Sequence, residues 1–126
     1  MDGPSGVAAR LELPDGLVGL PELRSFDVRP IGTTGFVELV SLDVPDCGFA
    51  ASPADAVRDG YAADLVQRGF ADPDAGVLVL LAVHGDPPVI TANLAGPLVL
   101  TPDGTGRQLV LEGPEFPLRV PVAVVG

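Results

Sequence analysis

One histidine and one cysteine are all the chain offers of the side chains most often used as general bases and thiolate nucleophiles. His84 precedes the turn cluster Gly85-Asp86-Pro87-Pro88 and has no Ser or Cys close by, which suits a hairpin position better than a general base. Cys47 follows Asp43 and Asp46, and neighbouring negative charge disfavours the thiolate that a reactive cysteine needs. Every basic residue is Arg, so both a P-loop lysine and a Schiff-base lysine are missing. Gly104-Thr105-Gly106 starts like a dinucleotide loop, but Leu109 stands where the third glycine belongs. Asp72-Pro73-Asp74-Ala75-Gly76 starts like a calcium loop, yet the twelfth position, which needs a carboxylate, is Val83. These failures assign no catalytic, cofactor-binding or metal-ligating residue, and the chain is not expected to be an enzyme.

Charge is the stronger signal. Seventeen acids face seven arginines, a formal net charge of −10. Such a surface repels phosphate backbones and anionic lipid and attracts basic proteins, so neither direct nucleic-acid binding nor a membrane partner is expected. Eight of the acids lie between Glu38 and Asp74, against only Arg58 and Arg68. A solvated face is the plain explanation of that stretch, and a docking face for a basic protein is the sharper one. Sugar binding by exposed aromatics is poorly served by five Phe, one Tyr and no Trp.

The elements that must hold these residues are short. Sixteen glycines and 14 prolines leave no interval longer than the nine residues from Phe36 to Val44, which suits strands of ~5–6 residues and not helices of ~11–12. Val7, Ala9, Leu11 and Leu13 alternate with Ala8, Arg10 and Glu12, and Phe26 and Val28 alternate with Asp27 and Arg29, the period of half-buried strands. Val77 to Val83 is apolar without a break, as a strand covered on both faces would be. Leu98–Leu100 and Leu109–Leu111 flank Thr101-Pro102-Asp103-Gly104-Thr105-Gly106, which predicts a hairpin. Pro121 places the run from Leu118 to Val125 at a sheet edge or strand end. Ser52 as a cap, Pro53, Asp55 and a stop at Gly69 suggest helix between Ala54 and Arg68, with Gly60 counting against a long one. The expectation is an all-β fold over residues 1–126, a compact antiparallel β-barrel-like single domain with one or two short helical turns and a flexible tail over residues 1–6. The absence of an apolar run near Met1, one unpaired cysteine, and no stretch of ~20 apolar residues predict a cytoplasmic protein.

In order along the chain, several blocks resemble the flagellar assembly factor FliW family. Gly16-Leu17-Val18-Gly19-Leu20 is similar to an early Gly-Leu-Pro-Gly-Phe turn, with Val18 and Leu20 departing from it. Leu39-Val40-Ser41-Leu42-Asp43-Val44-Pro45-Asp46, followed by Phe49, Pro53 and Tyr61, is similar to a Leu-Gln-Ser-X-Asp-X-Pro block with Val40 in place of Gln. Thr91-Ala92-Asn93-Leu94-Ala95-Gly96-Pro97-Leu98-Val99-Leu100, Gln108-Leu109-Val110-Leu111 and Phe116-Pro117-Leu118-Arg119 continue the likeness to about Pro121. The loops around Gly32-Thr33-Thr34-Gly35 and after Leu65 look shortened, and Tyr61-Ala62-Ala63 lacks the acid and aromatic common after that Tyr.

The resemblance implies a strand running through Tyr61 with only a short helical turn after it. Because Gly60 already counts against a long helix, this is the expectation taken over the helix between Ala54 and Arg68. The resemblance also implies a cytoplasmic protein-binding regulator without a cofactor, which binds newly made flagellin. When free, it would bind and antagonise CsrA, an RNA-binding translational repressor of flagellin mRNA. The partner-binding residues expected on charge and resemblance together are Asp43, Asp46, Phe49, Tyr61 and Asn93. Reversing the charges of Asp43 and Asp46 is expected to slow association and leave stability nearly unchanged. Asn93, an amide inside an apolar run, suits a structural hydrogen bond better than direct contact. The competing reading is a small all-β ligand-binding or enzymatic domain of unassigned activity, which a deep apolar pocket with converging polar groups would favour.

Overall fold

Strand-length pieces between Pro and Gly pair into a sheet of nine strands among the described residues, 10–122 of a computed structural model. The expected tail over residues 1–6 and the start of the expected first strand, Val7 to Ala9, lie outside them. Strand β1 (Arg10–Glu12) pairs with β2 (Ser25–Pro30), β2 with β3 (Val37–Ser41), and β3 with β4 (Gly48–Pro53), all antiparallel. After two short helices, α1 (Ala54–Val57) and α2 (Tyr61–Gln67), the long β5 (Gly76–His84) pairs with β4. Its first residues also pair with β7 (Leu98–Leu100), and β7 pairs with β8 (Gly106–Gln108). The circuit nearly closes where Glu12 forms a parallel bridge to Thr105 and its N–H donates to the Gly104 carbonyl at 2.9 Å. The far half of β5 pairs with β6 (Val89–Ala92), whose other side takes the edge strand β9 (Val120–Pro121). Pro121 therefore sits on an edge strand, the position it tolerates.

The unbroken apolar run of β5 has a direct cause: its alternate side chains enter two different cores. Leu78 and Leu80 pack against the first, built from Leu11, Leu13, Leu17, Leu23, Phe26, Leu39, Ala51 and Leu98 inside the barrel. Val77, Val79 and Leu81 face the second, where Ala54, Tyr61 and Leu65 of the helices meet Leu94, Leu109, Leu111 and Phe116. Double coverage ends before the strand does, since Val83 is 67% exposed. The hairpin forms as expected, although the strand after the turn starts at Gly106 and not at Leu109. Leu109 and Leu111 continue beside it, their N–H groups donating to Pro97 and Ala95 carbonyls at 2.9 and 2.7 Å.

Residues 54–68 differ from the resemblance-based expectation. Strand pairing stops at Pro53, and Tyr61 is the first residue of α2 and not part of a strand. α1 ends where Arg58 turns extended, and Gly60, at φ +81°, redirects the chain into α2 as its N-cap residue. Asp55 then accepts from the Ala62 N–H at 2.9 Å, satisfying an otherwise open donor of the first turn. At the other end the Gly69 N–H reaches Val66 and the Phe70 N–H reaches Leu65, the paired bonds of a glycine stop. Ser52 is not the cap: it is fully buried in β4, and its hydroxyl donates to the Pro53 carbonyl at 3.0 Å.

Candidate functional site: an apolar groove

The five expected contact residues separate into two groups. Asp43 and Asp46 occupy the exposed turn between β3 and β4. Ser41 Oγ organises that turn by accepting from the N–H groups of Asp43 and Val44 at 3.1 and 3.0 Å. The Asp43 carboxylate is itself committed, since its Oδ2 accepts from the backbone N–H of Ser25 at 2.7 Å and of Arg24 at 2.8 Å. These two bonds, Ser25 first, hold its pKa below the usual carboxylate value. Asp46 has φ +61°, a left-handed conformation that Asp tolerates better than most residues. Reversing both charges would therefore also disturb the turn, so the expectation of nearly unchanged stability does not survive the geometry. Phe49 is half-buried, its ring edge-to-face with Phe26 at 6.3 Å.

Tyr61 and Asn93 belong to the other side. Tyr61 is 1% exposed, and its hydroxyl donates to the Leu94 carbonyl at 2.5 Å. Its ring stands edge-to-face with Phe116 at 6.3 Å, and burial pushes its pKa up to about 12. A side chain this enclosed supports the fold and offers a partner no surface. Asn93, next to Leu94, is half-buried, and its Oδ1 accepts from the N–H groups of Ala95 and Gly96 at 2.9 and 3.1 Å. Those bonds make the structural role expected of it. Its Nδ2 has no acceptor among the described residues.

Asn93 opens onto a surface groove of about 200 Å³ that the sequence reading missed. Val18, Leu109, Val110, Leu111 and Leu118 supply most of its apolar lining. Gln108 fixes the groove's shape by joining its walls: Oε1 accepts from the Val18 N–H at 2.9 Å, and Nε2 donates to the Gly96 carbonyl at 3.0 Å. A Cβ at Gly96 would come within 2.8 Å of that Nε2, so a side chain there would push the Gln108 amide off this bond. Val18, Val110 and Leu118 are 57%, 69% and 67% exposed, a concentration of solvated aliphatic surface on one groove. The signal was present in the alternation of Gln108 to Leu111, where Val110 must face away from the core that Leu109 and Leu111 enter.

A larger cleft of about 440 Å³ lies between Pro14 and Asp15, the segment after α2, and the β7–β8 hairpin. Asp15, Asp72 and Asp74 share its walls with Phe70 and Arg107. Asp72 and Asp74 are thus solvated cleft wall, and among the described residues no three metal-ligating side chains come together. Both depressions open to solvent.

Comparison with known proteins agrees with this architecture. The family model described as FliW protein matches residues 6–122. The flagellar assembly factor FliW of Geobacter sulfurreducens is 33% identical over 118 residues, covering 88% of this chain and 74% of that protein. The same-named protein of Geotalea uraniireducens is 30% identical over 122 residues, with 88% and 72% covered. A crystal structure of the flagellar assembly factor FliW superposes with a TM-score of 0.70 at 21% identity, covering 94% of this chain and 87% of the other, which shows the shared fold.

Proposed function

The chain belongs to the FliW family, and from that membership we propose that it is a cytoplasmic, non-catalytic regulator of flagellum assembly that works by exchanging protein partners. In this reading it binds newly made flagellin. Once flagellin is exported, the freed protein binds CsrA and lifts its repression of flagellin mRNA. No step needs a cofactor, because partner exchange requires only two complexes that compete for one protein. The observation that supports protein binding most directly is the groove itself, where Val18, Val110 and Leu118 leave aliphatic surface in water. Aliphatic side chains gathered beside polar groups in this way suit contact with a protein partner. The net charge of −10 favours a basic partner and opposes direct contact with RNA.

The test is a mobility-shift assay with flagellin leader RNA. The protein alone leaves the RNA free, CsrA shifts it, and the protein added to that complex releases it. Added flagellin then restores the shift. RNA that stays bound to CsrA at a large excess of the protein would refute the proposal.

A further inference from the structure

We propose that the groove receives an extended, basic segment of the partner, paired along the backbone at Val110 with an aliphatic side chain seated between Val18 and Leu118. The inference rests on the protein-binding function above and adds where and how the partner is held. Three observations converge on it. Leu109 and Leu111 point their N–H groups to Pro97 and Ala95, so the intervening Val110 presents its N–H outward, and it has no acceptor among the described residues. The segment is thus a short open edge of the kind that takes an added strand. The Asn93 Nδ2 is a second donor on the same groove, held in place because its Oδ1 is bound by Ala95 and Gly96. Two donors beside an aliphatic trough match a main-chain carbonyl on each side of one apolar residue. Charge complementarity names the rest of the segment: a molecule with 17 acids and seven arginines attracts flanking Lys or Arg.

The competing occupants give different results. A helix would fill the trough but leave the Val110 N–H unpaired, and a second copy of this chain would bring like charge to like charge.

Val110→Glu and Leu118→Glu change side chains that are 69% and 67% exposed, so folding is spared. Val83→Glu, at 67% exposure on the β5–β6 hairpin, is the matched control. Added negative charge alone would strengthen binding to a basic partner, so any loss reports the apolar contact. Titration against purified flagellin and against CsrA should show the Val110→Glu/Leu118→Glu variant weaker by at least about tenfold for one or both. Val83→Glu should bind at least as well as the unaltered protein, and exchange of the Val110 amide should slow in the complex. If the double variant binds like Val83→Glu while the unaltered protein binds well, or the Val110 amide exchanges as fast in the complex as out of it, the groove assignment is wrong and the partner-exchange function stands. If the unaltered protein binds neither partner, both fall.

Discussion

Asp43 has a structural role that its charge and its place in the family pattern do not reveal. It lies exposed on the turn proposed for docking, and its carboxylate also closes two backbone N–H groups and ties the β3–β4 turn to the start of β2. A folded pKa below the unfolded value, ~3.9 for Asp, means this contribution is fully present above that value. It disappears as pH falls through the lowered folded value. Asp43→Asn should therefore lower the melting temperature at neutral pH, and the gap to the unaltered protein should shrink as the solution is acidified below ~4. A gap independent of pH would show that the bonds to Arg24 and Ser25 do not need the charge. Tyr61 carries the opposite shift. It is the sole tyrosine and there is no tryptophan, so tyrosinate absorbance reports it without interference. Its midpoint should lie at about 12 in the folded protein and return to ~10 in denaturant. Tyr61→Phe leaves the buried Leu94 carbonyl without its donor and should cost about 1–3 kcal/mol by denaturant titration.

At the scale of elements, Gly60 separates the two short helices by taking a left-handed conformation, and a Cβ there would meet nothing within 4 Å. Gly60→Ala therefore isolates backbone strain from clash, with an expected loss of about 1–2 kcal/mol. Gly60→Asn should lose less, because Asn enters that region more readily. The Pro and Gly spacing made the strands readable, since interruptions this frequent leave room for little else. Asp55 and the Gly69 stop signalled the helical stretch, but the preferred reading of Tyr61 as strand set that signal aside and failed, because a family pattern does not reveal backbone dihedrals. Barrel closure was not legible. The bridge from Glu12 to Thr105 joins residues 93 positions apart through one parallel contact, and no local period encodes such a pairing. The groove failed for a related reason: Val18, Val110 and Leu118 come from three separate segments, and only the fold gathers them. Asn93 alone was both singled out from sequence and found on the groove, because an amide in an apolar run needs a specific partner wherever it lies.

For the whole molecule, the proposed partner exchange would divide recognition between two surfaces with different physics. The acidic surface acts over a distance of about the Debye length, ~8 Å at physiological ionic strength, so it governs how fast a basic partner arrives. Association with such a partner should slow as salt rises, while dissociation changes little. The groove, if it holds the partner as proposed, would act only on contact and set how long the complex lasts. Both partners of an exchange mechanism must compete for the same protein, and that competition is the centre of the proposed function. It is tested most directly by forming the complex with fluorescently labelled CsrA and adding flagellin while following anisotropy. The expected result is full release of CsrA at stoichiometric flagellin. A stable assembly that holds CsrA and flagellin together on one copy of the protein, with anisotropy rising on addition, would contradict it.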